Sequence, residues 1–150
     1  MTNTKVAVVG SGYVGMSIAA MLARLCAVVV LDIDQCRVDK VNQGLSSIDD
    51  PDMDQFINNN NLNLRATLDQ DDAYKGAHFI IIAVPTDYDA ETNKFDTKAV
   101  DAAVADALSS NESALIVIKS TVPVGHTRFL QAKHGTDRVV FSPEFLRETS

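Results

Sequence analysis

A glycine-rich turn close to the start of the chain constrains its fold more than any other feature. The sequence GSGYVG at residues 10–15 directly follows a short apolar run at residues 5–9. In a strand-to-helix connection, Gly10 permits the tight turn, Gly12 lets the backbone approach a pyrophosphate, and Gly15 lets the helix pack closely on the strand. The amides at the helix start then face the phosphates. The turn therefore predicts a dinucleotide-binding α/β domain.

The end of the second apolar run indicates which dinucleotide is bound. Asp32 follows this run and lies 17 residues after Gly15. A carboxylate at the tip of the second strand accepts a hydrogen bond from a ribose 2′-hydroxyl and repels the 2′-phosphate of NADP. Arg37 is close enough in sequence to accept such a phosphate, but Asp32 and Asp34 together make the local field negative. We therefore expect NAD as the cofactor, although a helix-capping or surface role for Asp32 stays open.

The alternation of apolar and amphipathic segments predicts the fold class. Short runs rich in Val and Ile are typical of buried parallel strands, and they occupy residues 5–9, 27–31, 78–84, 114–119 and 138–141. Residues 63–68 are a weaker strand candidate. Helical patterns occupy residues 14–25, 35–42, 53–58, 97–108 and 124–134. Asp34 and Asp96 are expected to cap two of these helices, and Pro123 suits a first helical turn. The pattern predicts a Rossmann-type, doubly wound, mainly parallel six-stranded sheet with helices on both faces and strand order 3-2-1-4-5-6.

Composition and charge exclude several classes of function. The formal net charge of −7 argues against a surface that tracks nucleic-acid phosphates. No apolar run approaches the roughly 20 residues needed to cross a bilayer, and no signal-type segment opens the chain, so we expect a cytoplasmic protein without membrane partners. The histidines and the cysteines Cys26 and Cys36 lack metal-ligand spacing, so no metal site is expected.

Polar residues also follow the later predicted strands, at the edge where ligands of such sheets bind. Thr86 follows the fourth strand, Thr121 follows the fifth, and Glu144 and Glu148 follow the sixth. Each threonine alone is equally well explained as a turn or cap residue, and the two glutamates as a solvated helix face. Their coincidence at one edge favours a ligand site.

Five stretches together carry a resemblance to a known family, namely VAVVGSGYVGMS, VVLDID, IIIAVPT, KSTVPVG and FSPEFLRE. In this combination the chain resembles the N-terminal part of the UDP-glucose 6-dehydrogenases, within the UDP-glucose/GDP-mannose dehydrogenase family. The resemblance implies an oxidation in which two NAD molecules take hydrides from C6 of UDP-glucose and UDP-glucuronate is formed. The GDP-mannose and UDP-N-acetylmannosamine dehydrogenases share this half and remain alternatives.

The resemblance also implies roles for individual residues. Catalytic assistance by positioning water and moving protons is expected from Thr121 and Glu148, with Glu144 in the same hydrogen-bond network. Together with the glycine turn, the residues expected to bind NAD are Gly10, Gly12, Tyr13, Val14, Gly15, Asp32, Arg37, Thr86, Thr121 and Glu148. The residues expected to contact the nucleotide sugar are Phe145, Leu146, Arg147 and Glu148.

We expect residues 1–150 to be the NAD-binding domain alone. The resemblance further implies what the rest of the full enzyme contains. In the family, the cysteine that forms the covalent intermediates lies in a later domain, and a central helix mediates dimerisation. Neither Cys26 nor Cys36 has a position that suggests a substitute. We therefore expect a homodimeric full enzyme and an isolated domain that binds NAD without catalysis. The alternative from another class of function is a stand-alone NAD-binding module that catalyses no reaction.

Overall fold

The sheet strands form where Val and Ile side chains are concentrated, because both faces of a parallel sheet are buried. A computed structural model describes residues 4–48, 50–59, 62–89, 91 and 94–142. The strands are β1 Lys5–Val9, β2 Ala27–Leu31, β3 Leu64–Thr67, β4 Phe79–Ile82, β5 Asp87–Asp89, β6 Lys94–Asp96, β7 Leu115–Ile118 and β8 Val139–Phe141. The helices are α1 Tyr13–Leu22, α2 Gln35–Asn42, α3 Pro51–Asn59, α4 Gln70–Tyr74, α5 Lys98–Ser110 and α6 His126–His134.

Six strands form one sheet in the order β3-β2-β1-β4-β7-β8, and every neighbouring pair in it is parallel. Counted along these six strands, the order is the predicted 3-2-1-4-5-6. The order reverses direction at β1 and β4, where the register aligns Val9 with Ile82. A crevice opens at such a reversal, beyond the carboxyl ends of the strands. The predicted fold class is confirmed.

Alternate residues of each strand pack against different helices, so the sheet has two separate apolar cores. On one face, Ala7 and Val9 of β1 pack with residues of α4, α5 and α6. On the other face, Val6 and Val8 pack with residues of α1, α2 and α3. This explains why the strand sequences are apolar throughout instead of alternating.

The predicted helix boundaries were wrong by up to three residues, and α3 and α5 each extend two residues beyond one predicted end, to Pro51 and Ser110. Helix α1 ends at Leu22 instead of residue 25, and the amides of Leu25 and Cys26 both donate to the Leu22 carbonyl in a closing turn. Helix α6 begins at His126, so Pro123 does not occupy its first turn. Gly125 precedes α6 with φ +85°, a left-handed conformation that a right-handed helix does not contain.

Two small features were not predicted. Helix α4 has only five residues, QDDAY, and its polar start gives no helical periodicity, although the Asp69 side chain caps it by accepting from the Asp71 amide. Strands β5 and β6 form an antiparallel pair of three residues each beside the main sheet. Of the predicted caps, Asp34 accepts from the amides of Cys36 and Arg37. Among the described residues, no helix is long and apolar enough to cross a membrane.

Candidate functional site

The glycine turn is held in a conformation that leaves no room for side chains at two of its glycines. Gly10 has φ +100°, and a Cβ there would lie 2.7 Å from the Ala83 carbonyl oxygen at the end of β4. A Cβ on Gly15 would lie 2.0 Å from the Gly10 carbonyl oxygen. The turn is fixed to both neighbouring strands, since Gly10 donates to Leu31 at 2.8 Å and Ala83 donates to Val9 at 2.8 Å. Both glycines are therefore required by packing.

Gly12 differs from the other two because it faces open space. It is the N-cap residue of α1, with φ −76°, and a Cβ there would meet nothing within 4 Å. The described residues provide no side-chain cap for α1, and its first turn contains no acidic residue. The uncapped amides and the positive end of the helix dipole attract an anion. The turn thus combines free space with donors suited to a phosphate.

Asp32 ties the second strand to the glycine turn. Its Oδ2 accepts from the Ser11 amide at 3.0 Å and from the Ser11 hydroxyl at 2.5 Å, and its Oδ1 accepts from the Asp34 amide at 2.9 Å. The Asp32 side chain is only 8% exposed. The Ser47 hydroxyl donates to the Ser11 carbonyl and braces the turn from the loop after α2. The carboxylate is therefore oriented by the protein before any ligand binds.

A cavity of about 420 Å³ opens between the glycine turn, the ends of β2 and β4, and helix α5. Its size falls within the usual range for ligand pockets. The predicted residues on its wall are Gly10, Gly12, Asp32 and Arg37. The other lining residues are Val9, Ser11, Leu31, Ile33, Leu68, Gln70, Tyr74, Val84, Pro85, Ala99, Ala102, Ala103 and Asp106. The wall is therefore mainly apolar, with a few polar groups at its two ends.

Charged groups of both signs border this cavity. The Arg37 guanidinium lies 3.9 Å from Asp32 Oδ2 and remains 44% exposed. Farther along the wall, Gln70 Nε2 donates to Asp106 Oδ2 at 2.9 Å. Burial raises the pKa of the Tyr74 phenol, and the negative charge of Asp106 raises this pKa further. Tyr74 therefore remains a neutral phenol at physiological pH.

The other predicted site residues within the described part of the chain are not on the cavity wall. Tyr13 is partly exposed on the first turn of α1, and it is followed by the half-buried Val14 and the buried Gly15. Thr86 follows β4 and Thr121 follows β7 at the same edge of the sheet, where Thr121 is exposed. The predicted residues Glu144, Phe145, Leu146, Arg147 and Glu148 lie outside the described residues. Among the described residues, no cluster of side chains could hold a metal ion.

Sequence reasoning missed the half of the cavity wall that lies beyond Asp32. Ala99, Ala102, Ala103 and Asp106 occupy one face of α5, at helical spacing. This stripe of small residues was visible in the sequence, but it is also what ordinary helix packing uses. Leu68, Gln70 and Tyr74 come from the segment around α4, a helix that was not predicted.

The sheet order, the uncapped N-terminus of α1 and the oriented side chain of Asp32 define a dinucleotide-binding domain of the Rossmann type. Comparison with known sequences then identifies its family. Residues 4–150 match the NAD-binding domain of the UDP-glucose/GDP-mannose dehydrogenase family. The chain belongs to this family and represents its NAD-binding domain.

Relatives with named activities support this assignment. UDP-glucose 6-dehydrogenase of Streptococcus pneumoniae is 44% identical over 145 residues, covering 97% of this chain and 37% of that protein. UDP-glucose 6-dehydrogenase of Campylobacter jejuni is 40% identical over 148 residues, covering 97% of this chain and 38% of that protein. The chain thus spans little more than a third of the length of these relatives.

Solved structures show the same fold. A UDP-glucose dehydrogenase from Pyrobaculum islandicum superposes with a TM-score of 0.80 at 26% identity, covering 98% of this chain and 37% of that chain. A UDP-D-ManNAc dehydrogenase from Pyrococcus horikoshii gives a TM-score of 0.83 at 28% identity, covering 96% of this chain and 37% of that chain. The fold is therefore shared by family members whose names give different sugars.

Proposed function

We propose that this chain is the cofactor-binding part of an NAD-dependent UDP-glucose 6-dehydrogenase. The observation that carries the proposal is the cavity that joins the uncapped start of α1 to the oriented carboxylate of Asp32. The two relatives with 44% and 40% identity, both named UDP-glucose 6-dehydrogenases, favour UDP-glucose over GDP-mannose and UDP-N-acetylmannosamine as the substrate. Capsule or other surface polysaccharides would use the product.

The proposed roles of the described residues follow from their positions. The amides at Gly12, Tyr13 and Val14 hold the pyrophosphate, and Asp32 accepts a hydrogen bond from the adenosine ribose. When bound, NAD supplies the hydride acceptor. Thr86 and Thr121 lie at the ends of β4 and β7, on the side of the crevice where the nicotinamide half would extend.

Residues 143–150 carry the remaining proposed contacts. The family resemblance supports Thr121 and Glu148 as residues that position water and assist proton transfer, with Glu144 in the same hydrogen-bond network, and Glu148 as a further NAD contact. It also supports Phe145, Leu146 and Arg147 as contacts of the nucleotide sugar. A cytoplasmic location and a homodimeric full enzyme stay predictions from the sequence.

Cofactor choice tests the central part of this proposal. Titration of the 150-residue chain with NAD and NADP is expected to show tighter binding of NAD, because Asp32 repels a 2′-phosphate. Asp32→Asn removes the charge at constant size, so the NAD-to-NADP affinity ratio is expected to fall about tenfold. Asp39→Asn, an acidic residue of α2 away from the cavity wall, is the matched control. Equal affinity of the unmodified chain for both dinucleotides would contradict the role of Asp32.

Catalysis supplies a second test. The chain is expected to bind NAD but to form no NADH when UDP-glucose is added, because the family's nucleophilic cysteine lies in a later domain. The complete gene product is expected to form two NADH per UDP-glucose consumed. NADH formation by the isolated chain at a rate near that of a complete enzyme would refute the proposal that this chain binds NAD and a later domain supplies the nucleophile.

A further inference from the structure

Part of the cavity wall comes from residues outside the glycine turn and Asp32. This part, called the base end here, consists of Ile33, Leu68, Gln70 and Tyr74 together with Ala99, Ala102, Ala103 and Asp106 of α5. The pyrophosphate belongs at the start of α1 and the ribose at Asp32, so the base attached to that ribose must occupy the base end. Its walls are largely apolar, as a flat heterocycle requires.

Asp106 and Gln70 carry hydrogen-bonding groups on this apolar wall. The Gln70 amide nitrogen donates to Asp106 Oδ2 at 2.9 Å and so connects α4 to α5. The reverse orientation of the Gln70 amide would place two acceptor oxygens against each other. This hydrogen bond orients the carboxylate, and among the described residues its Oδ1 has no hydrogen-bond partner.

An ionised carboxylate is solely a hydrogen-bond acceptor. Adenine presents one exocyclic donor, its 6-amino group, whereas hypoxanthine and guanine present an acceptor oxygen at the same ring position. An acceptor beside this position attracts adenine and repels the two oxo bases.

We propose that Asp106, positioned by Gln70, recognises the adenine base by accepting a hydrogen bond from its 6-amino group. This inference rests on the proposed NAD-binding function and adds a base-specificity residue to it. The neutral Tyr74 phenol lies on the same wall, and its pKa is raised by burial and by the nearby charge of Asp106. Gln70 is a positioning residue in this arrangement.

The test compares NAD with nicotinamide hypoxanthine dinucleotide, which differs from NAD by an oxygen in place of the 6-amino group. Dissociation constants of the 150-residue chain for both compounds are measured by calorimetry. We expect NAD to bind about tenfold more tightly, the effect of a single partly exposed, charge-assisted hydrogen bond. NAD binding without any preference over the hypoxanthine compound would overturn this inference and leave the proposed function standing. Failure to bind either compound would overturn both.

Two variants separate base recognition from a purely structural contact between α4 and α5. Asp106→Ala is expected to bring the affinity ratio close to one while the chain stays folded, because alanine is a better helix former than aspartate. Asp106→Asn offers the base an amide donor, so the ratio is expected to approach one or to invert in favour of the oxo base. A structural role would weaken both dinucleotides equally and leave the ratio unchanged, which would refute the proposal.

The matched control is Glu112→Gln. Glu112 is exposed just after the end of α5 and does not line the cavity, so its substitution removes the same charge at a similar place. The affinity ratio of this variant is expected to equal that of the unmodified chain. A fall in the ratio as large as that of Asp106→Asn would assign the discrimination to overall charge and overturn the inference.

Discussion

The glycine turn and the loop after β7 lie at the same edge of the sheet but are held in opposite ways. In the turn, Ser11 is 1% exposed and is bonded on both sides, to Asp32 and to Ser47. In the loop, the buried Ser120 hydroxyl donates to the Val84 carbonyl at 2.6 Å. The residues after Ser120 include the exposed Thr121 and the fully exposed Val124.

This difference shows where the chain itself provides the binding geometry. The turn is preorganised because Ser11 is hydrogen-bonded to Asp32 and Ser47 before any ligand binds. The loop is anchored through Ser120 and the buried Val122, and Thr121 between them is exposed. Within each region, substitutions of buried, hydrogen-bonded or tightly packed residues should therefore affect folding, and substitutions of residues that face open space should affect ligand binding.

The largest effect is expected for Gly15→Ala. The added Cβ would lie 2.0 Å from the Gly10 carbonyl oxygen, which is backbone and cannot rotate away. We expect the free energy of unfolding to fall by about 3 kcal/mol or more, at the upper end of overpacking effects. Urea denaturation followed by circular dichroism measures this change. A loss below about 1 kcal/mol would show that the turn is looser than its contacts indicate.

Gly12→Ala should separate binding from folding within the same turn. A Cβ at Gly12 meets nothing within 4 Å, so the midpoint of urea denaturation is expected to change little. The methyl group occupies the space of the pyrophosphate, so NAD affinity is expected to fall at least about tenfold, or roughly 1.4 kcal/mol. Calorimetric titration with NAD tests this, and unchanged affinity would contradict the placement of the pyrophosphate.

Neighbouring hydroxyls in the loop after β7 should behave differently. Ser120→Ala removes a buried donor to the Val84 carbonyl, so the free energy of unfolding is expected to fall by about 1 kcal/mol. Thr121→Ala changes an exposed side chain and is expected to alter stability by less than about 0.5 kcal/mol. Equal losses in the two variants, measured by urea denaturation, would remove the distinction between anchored and exposed residues of the loop.

The smallest effect concerns an ion pair outside both regions. Arg65 donates to Asp72 at 2.7 and 2.8 Å, and these hydrogen bonds hold the pKa of Asp72 below its usual value. A lowered pKa adds stability above the usual carboxyl pKa, and this stability is lost as the pH falls through the folded-state pKa. At neutral pH, Asp72→Asn is expected to destabilise the chain by about a few tenths of a kcal/mol, because the pair is exposed.

Urea denaturation at neutral and acidic pH measures this difference between the unmodified chain and Asp72→Asn. The difference should shrink at low pH, where Asp72 is protonated and the charge of the pair is lost. NAD affinity at neutral pH should be the same in both proteins, since neither Arg65 nor Asp72 lines the cavity. A stability difference that grows as the pH falls would contradict a lowered pKa of Asp72 in the folded chain.

Short-range patterns account for the parts of the fold that were predicted. Short apolar runs located the six strands of the main sheet, although β3 (LRAT) has no Val or Ile, and right-handed crossovers then predicted their order. Predictions from local residue preferences were wrong where a nearby residue had a conflicting conformational preference. Pro123 suggested a helix start, but the left-handed Gly125 delays α6 until His126. Helix α4 was missed because five residues are too few to show a period.

The sequence by itself determined the glycine turn, the strand that precedes it and the carboxylate at Asp32, because each depends on residues close together along the chain. The tertiary structure alone decided which residues complete the cavity. Ile33, Gln70, Pro85 and Asp106 come from four separate segments. They meet because parallel strands bring their carboxyl ends to one edge and helices return over the sheet. The same crossovers place Gln70 against Asp106, a contact that residue spacing does not encode.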